Sequence, residues 1–495
     1  MSGLLSIAGH DPVHGAGMTA DLATWAAMGL EGASVVTSLT VQNSEGLVRI
    51  EPVSPVLVRD ALQAVLRDGE PAAIKVGMTG SVAVLQEVTA FVAARRCPVV
   101  VDPVMAGSNG TAAHEGGSEA FLDALRGLLR HATVFTPNVP EARRLLPAGV
   151  PIDLEALRRL GGGAVVLKGG HGEDPLRSVD RVSDGQRSAA LSAGRLPEGS
   201  HGTGCVFSAV LAGMLASGWD VFEAAAEAKV RVLAGIAQAR RQGPGRPHTR
   251  AAARPDSDHL PAFEWGPDVS VVPPPFAPMP SPMGFYPVVP DAVWVERLLA
   301  WGVRTVQLRV KAGTLDPHLL RSEIGRAVAA GRAVPGAQVF INDHWQLAIA
   351  AGAFGVHLGQ EDLDTADLAA LRRAGLRLGV SSHTPAEMSR AHAVQPSYVA
   401  IGPVYPTTLK AMRYDAVGLE RLREWTRRYQ PRYPVVAIGG ISLERAPGVW
   451  ACGVDSLAVV SGVTQAADPQ AATEAFLRGV PAGRRGAVRD GPSGS

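Results

Sequence analysis

The chain has 495 residues, of which 46% are hydrophobic and 19% charged, enough apolar side chain for two large cores and too much for a disordered polymer. Forty-seven Lys+Arg against 46 Asp+Glu leave a formal charge of +1, without the basic field that draws proteins to nucleic acid or anionic lipid. Small molecules are therefore the expected partners, with no nucleic acid and no membrane.

Short β-branched runs at 4–8, 33–41, 73–76, 99–101, 134–136 and 164–167 alternate with amphipathic stretches such as 57–66 and 82–94. This βαβ alternation predicts a mostly parallel sheet between helices. Residues 178–193 read as a short hairpin, after which Gly202 opens two long helices, to about 216 and over 220–240. Residues 242–283, dense in proline and without helical or strand period, read as a linker, and 481–495 as a frayed tail. Two bodies remain, 1–241 and 284–480. In the second, apolar runs at 285–289, 305–309, 338–341, 355–358, 378–381, 398–401, 435–438 and 456–460 each lead into a helical stretch. Eight such units predict a (β/α)8 TIM barrel, with its chemistry at the carboxyl ends of the strands and a phosphate site after the last two.

Cys97, Cys205 and Cys452 are too scattered for a disulfide framework or a paired zinc motif. The N-terminus has no basic leader and no run approaches 18 uncharged apolar residues, so a cytoplasmic protein is expected. Nothing in the sequence bars a homo-oligomer. Five of the 47 cations are lysine, and Lys168, Lys311 and Lys410 stand beside glycine or at strand ends, where a compact ammonium suits phosphate.

In the first body, Gly202-Thr203-Gly204-Cys205 begins an apolar helix, so unpaired N–H groups should converge there on an anion and lower the cysteine pKa. The competing reading is a tight turn before a buried cysteine. Asn138 and Glu141 at a strand-to-helix junction suit magnesium-bound phosphate, although alone they read first as an N-cap with Glu at its third position. Asp102 ends a strand, as a second magnesium contact or a turn-former. Lys168 before two glycines adds a cation.

These residues sit within Ser6-Ile-Ala-Gly-His-Asp-Pro, Gly15-Ala-Gly, Ala20-Asp-Leu, Val41-Gln-Asn, Lys75-Val-Gly-Met78, Val101-Asp-Pro-Val-Met, Thr136-Pro-Asn-Val-Pro-Glu, Leu167-Lys-Gly-Gly-His and His201-Gly-Thr-Gly-Cys. The set resembles the hydroxymethylpyrimidine and phosphomethylpyrimidine kinases, of ribokinase-like α/β sandwich fold. The resemblance implies two successive ATP-dependent phosphorylations. It places Asp21 and Gln42 at the aminopyrimidine edge near Met78 and Gly9, and Asp102, Asn138 and Glu141 on Mg2+ and phosphate. Lys168 falls on the transferring group, with Cys205 as base in an anion hole of Gly202, Thr203 and Gly204. Val13 and His14 stand where the family has Ser and Gly, a departure that bears on the loop's conformation.

In the second body, alternation sends Gln307, Arg309 and Lys311 to one side. Asp343, after Asn342, and Asp362 bring two carboxylates from neighbouring strand ends, better read near cations as a magnesium site than as an acid/base pair. Gly284-Phe-Tyr-Pro-Val-Val, Gln307-Leu-Arg, Gly355-Val-His-Leu-Gly-Gln-Glu-Asp-Leu, Gly402-Pro-Val-Tyr-Pro-Thr, Val436-Ala-Ile-Gly-Gly-Ile and Val459-Val-Ser resemble thiamine phosphate synthase. That family joins hydroxymethylpyrimidine diphosphate to thiazole phosphate by ionisation followed by capture. The resemblance puts Asp343 and Asp362 on Mg2+. It puts Arg309, Lys311, Asn342, Ser381 and Lys410 around the leaving diphosphate, Gln307 on the pyrimidine, Gly440 and Ser461 on the thiazole phosphate, and Thr407 and Val460 among the substrate-binding residues. Val310 replaces a usual Glu and should point away from the mouth, and Leu409 replaces a common Thr. A pyridoxal or sugar kinase fused to a non-catalytic phosphate-binding barrel is the alternative reading.

Overall fold

The chain begins with a strand buried almost along its whole length, β1 (Leu4–His10), around which a sheet grows on both sides. A computed structural model of the protein describes residues 3–107, 109–115, 118–172, 174–196, 199–241, 243–311, 313–406 and 415–484. The chain divides into two units, Met1–Val271 and Val272–Ser495. Among the described residues no helix is long and apolar enough to cross a membrane.

The first unit contains β2 (Gly32–Asn43), β3 (Gly46–Pro52), β4 (Ala73–Val76), β5 (Val99–Val101), β6 (Val134–Phe135), β7 (Ala164–Leu167), β8 (Arg177–Ser183), β9 (Ser188–Gly194) and β10 (Ala262–Trp265). They form one sheet in the order β10-β9-β8-β7-β6-β5-β4-β1-β2-β3. The centre from β7 to β2 is parallel and both edges are antiparallel, so this is the ribokinase-like α/β sandwich. Central strands read as apolar runs because helices cover both faces. One of these helices, Thr203–Ala216, is buried over most of its length and starts from Gly202 at φ 87 with no side-chain cap.

The proline-rich stretch is not a free linker. β10 pairs antiparallel with β9, from Ala262 opposite Ser192 to Trp265 opposite Ala189. Within the second unit, the Phe276 ring is buried under the Arg372 guanidinium, its N–H donates to the Gln395 carbonyl at 2.9 Å, and Ser397 Oγ donates to the Ala277 carbonyl at 2.6 Å. Proline lacks an N–H and so carries no ladder period, yet its carbonyls and ring still bond and pack. Of the expected tail, Ala482–Arg484 is one 3-10 turn and 485–495 lie outside the described residues.

The second unit is a closed parallel barrel of β11 (Gly284–Val289), β12 (Thr305–Leu308), β13 (Gln338–Asn342), β14 (Gly355–Leu358), β15 (Arg377–Ser382), β16 (Tyr398–Ile401), β17 (Val435–Ile438) and β18 (Ser456–Val459). β18 pairs with β11 to close it, giving the (β/α)8 TIM barrel. Large and absent side chains alternate inside it. Tyr286, Phe340 and Tyr398 fill the interior, with ring centroids 5.9 Å apart for the first pair and 5.2 Å for the second. A Cβ on Gly379 would lie 2.0 Å from Tyr398 Cζ, and one on Gly355 would lie 2.5 Å from the Phe340 ring.

Candidate functional site

Five strand ends of the first unit converge on one cavity of about 1140 Å³, lined by Gly9 near the end of β1, Met78 after β4, Asp102 after β5, Asn138 after β6 and Lys168 after β7. Ligand sites of roughly 300–1,000 Å³ are usual, so this one has room for two reactants. Gly202, Thr203, Gly204 and Cys205 line it as the start of the uncapped helix, whose first N–H groups have no intrahelical partner and form an anion cradle. A Cβ on Gly202 would sit 1.7 Å from the Gly15 carbonyl oxygen, and one on Gly204 would sit 3.2 Å from Lys168 Nζ. Glycine at both positions is therefore what brings backbone and ammonium together.

Lys168 Nζ pairs with Asp102 Oδ1 at 2.7 Å, and Thr136 Oγ1 donates to the same oxygen at 3.2 Å. Burial opposes the charge on Lys168, but Asp102 and Glu141 hold it protonated. Asn138 and Glu141 form a full capping box, Oδ1 accepting from Glu141 N at 2.9 Å and Oε2 accepting from Asn138 N at 2.8 Å. The capping reading is thus realised, and both residues also face the cavity. Burial pushes the Glu141 carboxyl up to about 7 against the pull of Lys168, with Asp102 adding to the rise.

Two expectations are corrected. Cys205 is not a low-pKa cysteine: burial, with the Asp21 and Asp102 carboxylates, pushes its thiol up to about 11 despite Lys75 and the Gly17 N–H at 3.3 Å. Asp21 does not face the cavity. It is fully buried behind Lys75, its Oδ2 accepting from Lys75 Nζ at 2.8 Å and from Ser6 Oγ at 2.6 Å. Lys75 is the lining residue, missed although an ammonium inside an apolar strand demands a buried partner. Gln42 lines the cavity.

Asp11 was missed as well. Its carboxylate accepts from Val13 N at 3.0 Å and Ala16 N at 2.8 Å and meets His201 Nε2 at 3.2 Å. These bonds hold the loop where Val13 and His14 depart from the family, and His14 keeps a left-handed φ of 57 at a cost of about 1–2 kcal/mol.

In the barrel, Arg309 and Lys311 are exposed at the end of β12, while Val310 between them is buried, its carbonyl bonded to His344 Nε2 at 3.2 Å. Asp343 has φ 62, an uncommon backbone for a non-glycine and one concentrated at functional sites. Its carboxyl shares a hydrogen bond with Asp362, whose Oδ2 also accepts from Gly359 N at 3.0 Å. Desolvation and the Asp362 charge push Asp343 up to about 6, while Arg309 pulls it down.

Ser381 Oγ meets His357 Nε2 at 2.8 Å, and Gln307 and Asn342 are buried beside the mouth. Gly440, at φ 66, follows β17, and half-buried Val460 and exposed Ser461 follow β18. Thr407, Leu409 and Lys410 lie outside the described residues. Among the described residues no three His, Cys, Asp or Glu side chains group as a metal site. Oxygen donors do come in carboxylate pairs, and each pair contains a group raised by burial and further by its neighbour's charge.

A family model described as phosphomethylpyrimidine kinase matches residues 11–250, and one described as thiamine monophosphate synthase matches 286–463. The thiamine-phosphate synthase of Neisseria meningitidis serogroup A is 55% identical over 201 residues, covering 41% of this chain and 96% of that protein. A solved phosphomethylpyrimidine kinase from Clostridium difficile is 30% identical and covers 47% of this chain and 98% of its own, with TM-score 0.40. A pyridoxal kinase from Staphylococcus aureus in complex with AMP-PCP and pyridoxal is 27% identical over 54% of this chain and 99% of its own, with TM-score 0.47.

Proposed function

Since the chain belongs to the thiamine-phosphate synthase family and joins to it a phosphomethylpyrimidine kinase domain, we propose how the side chains of this bifunctional thiamine-biosynthesis enzyme divide its work. The kinase unit phosphorylates hydroxymethylpyrimidine and then its monophosphate, and the barrel condenses the resulting diphosphate with thiazole phosphate. The observation that carries the reading is Lys168 Nζ beneath the uncapped Gly202–Cys205 turn, a positive point charge and a set of N–H donors aimed at one spot.

Phosphoryl transfer passes through a loose transition state, so positioning and charge neutralisation do most of the work. Gln42, Gly9 and Met78 flank the pyrimidine. The N–H groups of 202–205 and Lys168 take the charge on the transferring phosphoryl group. A thiol near 11 stays protonated at neutral pH, so Cys205 serves the cradle as a neutral S–H rather than as the base. ATP is the phosphoryl donor.

The donor sets fit Mg2+. Asp102, Glu141 and the Asn138 amide are hard oxygen ligands, and Asp343 and Asp362 stand close enough that the charge of one raises the other, so the two carboxylates would hold a divalent cation. Bound magnesium supplies charge neutralisation for phosphate oxygens. In the barrel, Gln307 holds the pyrimidine while Arg309, Lys311, Asn342, Ser381, Thr407 and Lys410 gather the diphosphate. The C–O bond breaks with its electron pair leaving on the diphosphate, and the thiazole nitrogen then forms the new C–N bond. Gly440, Val460 and Ser461 anchor the thiazole phosphate through the loops after β17 and β18. Three free cysteines suit a reducing cytoplasm.

A one-pot assay tests the reading. Hydroxymethylpyrimidine, thiazole phosphate and ATP should yield about two ADP per pyrophosphate, from one transfer to the alcohol and one to the monophosphate. Pyrophosphate release without hydroxymethylpyrimidine, or ATP use that stops at one equivalent, would sink it.

A further inference from the structure

A chain of hydrogen bonds crosses the barrel interior and joins Gln307 to Ser381. Gln307 Nε2 donates to Tyr286 Oη at 2.9 Å, the Tyr286 and Tyr398 hydroxyls meet at 2.9 Å, and Tyr398 Oη lies 2.8 Å from His357 Nδ1. His357 Nε2 lies 2.8 Å from Ser381 Oγ. Five strands supply the members, β11, β12, β14, β15 and β16. All but Ser381 are at most 6% exposed, and none of their polar atoms is buried without a partner.

Each phenol carries one proton and a neutral imidazole carries one, so a member that accepts on one side donates on the other. The chain therefore has two polarities. With the Gln307 amide donating, Tyr286 donates to Tyr398, Tyr398 to His357 Nδ1, and His357 carries its proton on Nε2 and donates to Ser381. Gln307 then keeps its carbonyl oxygen as an acceptor, and Ser381 keeps its O–H as a donor. In the reverse polarity Ser381 spends its proton on His357 and Gln307 offers only N–H. The substrate reads these differently, because an aminopyrimidine donates and a diphosphate accepts.

We propose that His357, Tyr398 and Tyr286 are positioning residues of the synthase site, which hold the chain in the first polarity, so that Gln307 meets an amino group as an acceptor and Ser381 meets the diphosphate as a donor. The inference rests on the synthase reading above. Two further features support it. Both ring nitrogens of the buried His357 meet hydroxyls rather than a carboxylate, so the imidazole sits there in its neutral form. Gly379 has no Cβ where one would lie 2.0 Å from Tyr398 Cζ, so the ring reaches the centre of the chain.

Nitrogen-15 NMR of the full chain labelled at histidine, with His357 assigned by the loss of its signals in His357→Gln, reads the polarity directly. The expected pattern from pH 6 to 8 is a protonated Nε2 and a bare Nδ1; a protonated Nδ1 or an imidazolium overturns the proposal. Tyr398→Phe removes one oxygen and should mix the two tautomers. With pyrimidine diphosphate and thiazole phosphate supplied, it should lower synthase kcat about tenfold, with the KM for thiazole phosphate and the kinase turnover unchanged. An unaltered kcat or tautomer in that variant overturns the proposal. A wild-type chain that forms no thiamine phosphate removes the synthase reading instead, and the tautomer pattern then decides the chain alone.

Discussion

The two units treat buried polarity in opposite ways. Under the kinase cavity, ions are built into the floor in pairs, Lys75 with Asp21 at 2.8 Å and Lys168 with Asp102 at 2.7 Å. Beneath the barrel mouth, the buried groups joining Gln307 to Ser381 are neutral, an amide, two phenols and an imidazole, and Arg309, Lys311 and Asp343 stand exposed at the rim. A buried ion is tolerable only with its counter-ion, and removing one partner costs far more than the pair contributes. Rim charges lose little on exposure and are screened by salt. The kinase site is therefore rigid and fragile to charge changes, and the synthase mouth is adaptable and salt-sensitive.

The largest effect expected from this contrast is at Lys168. Lys168→Met leaves Asp102 buried without its cation, a loss of about 3–5 kcal/mol. Kinase turnover should fall about 10²–10³-fold while synthase turnover in the same chain holds. Denaturant unfolding and ATP consumption measure the two, and a kinase loss under about tenfold would break the contrast.

Asp343→Asn comes next and works at the other mouth, lowering synthase turnover about 10²-fold with the kinase intact. It also removes a pH dependence. The carboxyl ionises near 3.8 when unfolded and near 6 when folded. Between those values the unfolded chain holds fewer protons, so stability is greatest at the acid end and falls as pH rises through the window. The loss is on the order of 1 kcal/mol for a carboxylate this exposed. Thermal unfolding from pH 4 to 7 should show the slope in the wild type, and neither in Asp343→Asn nor with magnesium added.

Cys205→Ser should cost the kinase less than about tenfold, with turnover flat between about pH 7 and 9. A thiolate base with a pKa near 11 would instead make the wild-type rate climb about tenfold per pH unit. The smallest effect separates the sites by ionic strength. Raising salt from about 0.05 to 0.5 M shortens the Debye length severalfold, and should raise the synthase KM for the pyrimidine diphosphate about threefold while leaving kinase turnover nearly flat.

Much of this architecture was legible as periodicity. Ala164–Leu167, Gly355–Leu358 and Val435–Ile438 coincide with apolar runs, because a parallel strand covered on both faces must be apolar throughout. Gly46–Pro52 was missed since an edge strand with exposed Val48 shows no alternation, and β10 was hidden among prolines. What local reading could not supply was partnership. Gly202-Thr-Gly-Cys205 announces a helix start, but the carboxylates that raise Cys205 come from Asp21 and Asp102, far away in the chain. Tyr286, His357 and Tyr398 are each the one polar residue of an otherwise apolar strand, Gln307 shares its strand with Thr305, and only barrel closure makes the four neighbours.

The return of β10 to the sheet has a practical outcome for anyone separating the two activities. A kinase fragment cut at residue 241 would strip Ala262–Trp265 from β9, baring a ladder of amides ready to recruit other molecules into intermolecular sheet. The same cut would remove Arg246 and Pro247 from the cavity wall. A fragment carried through Val271 keeps both, and should stay dispersed in solution where the shorter one precipitates.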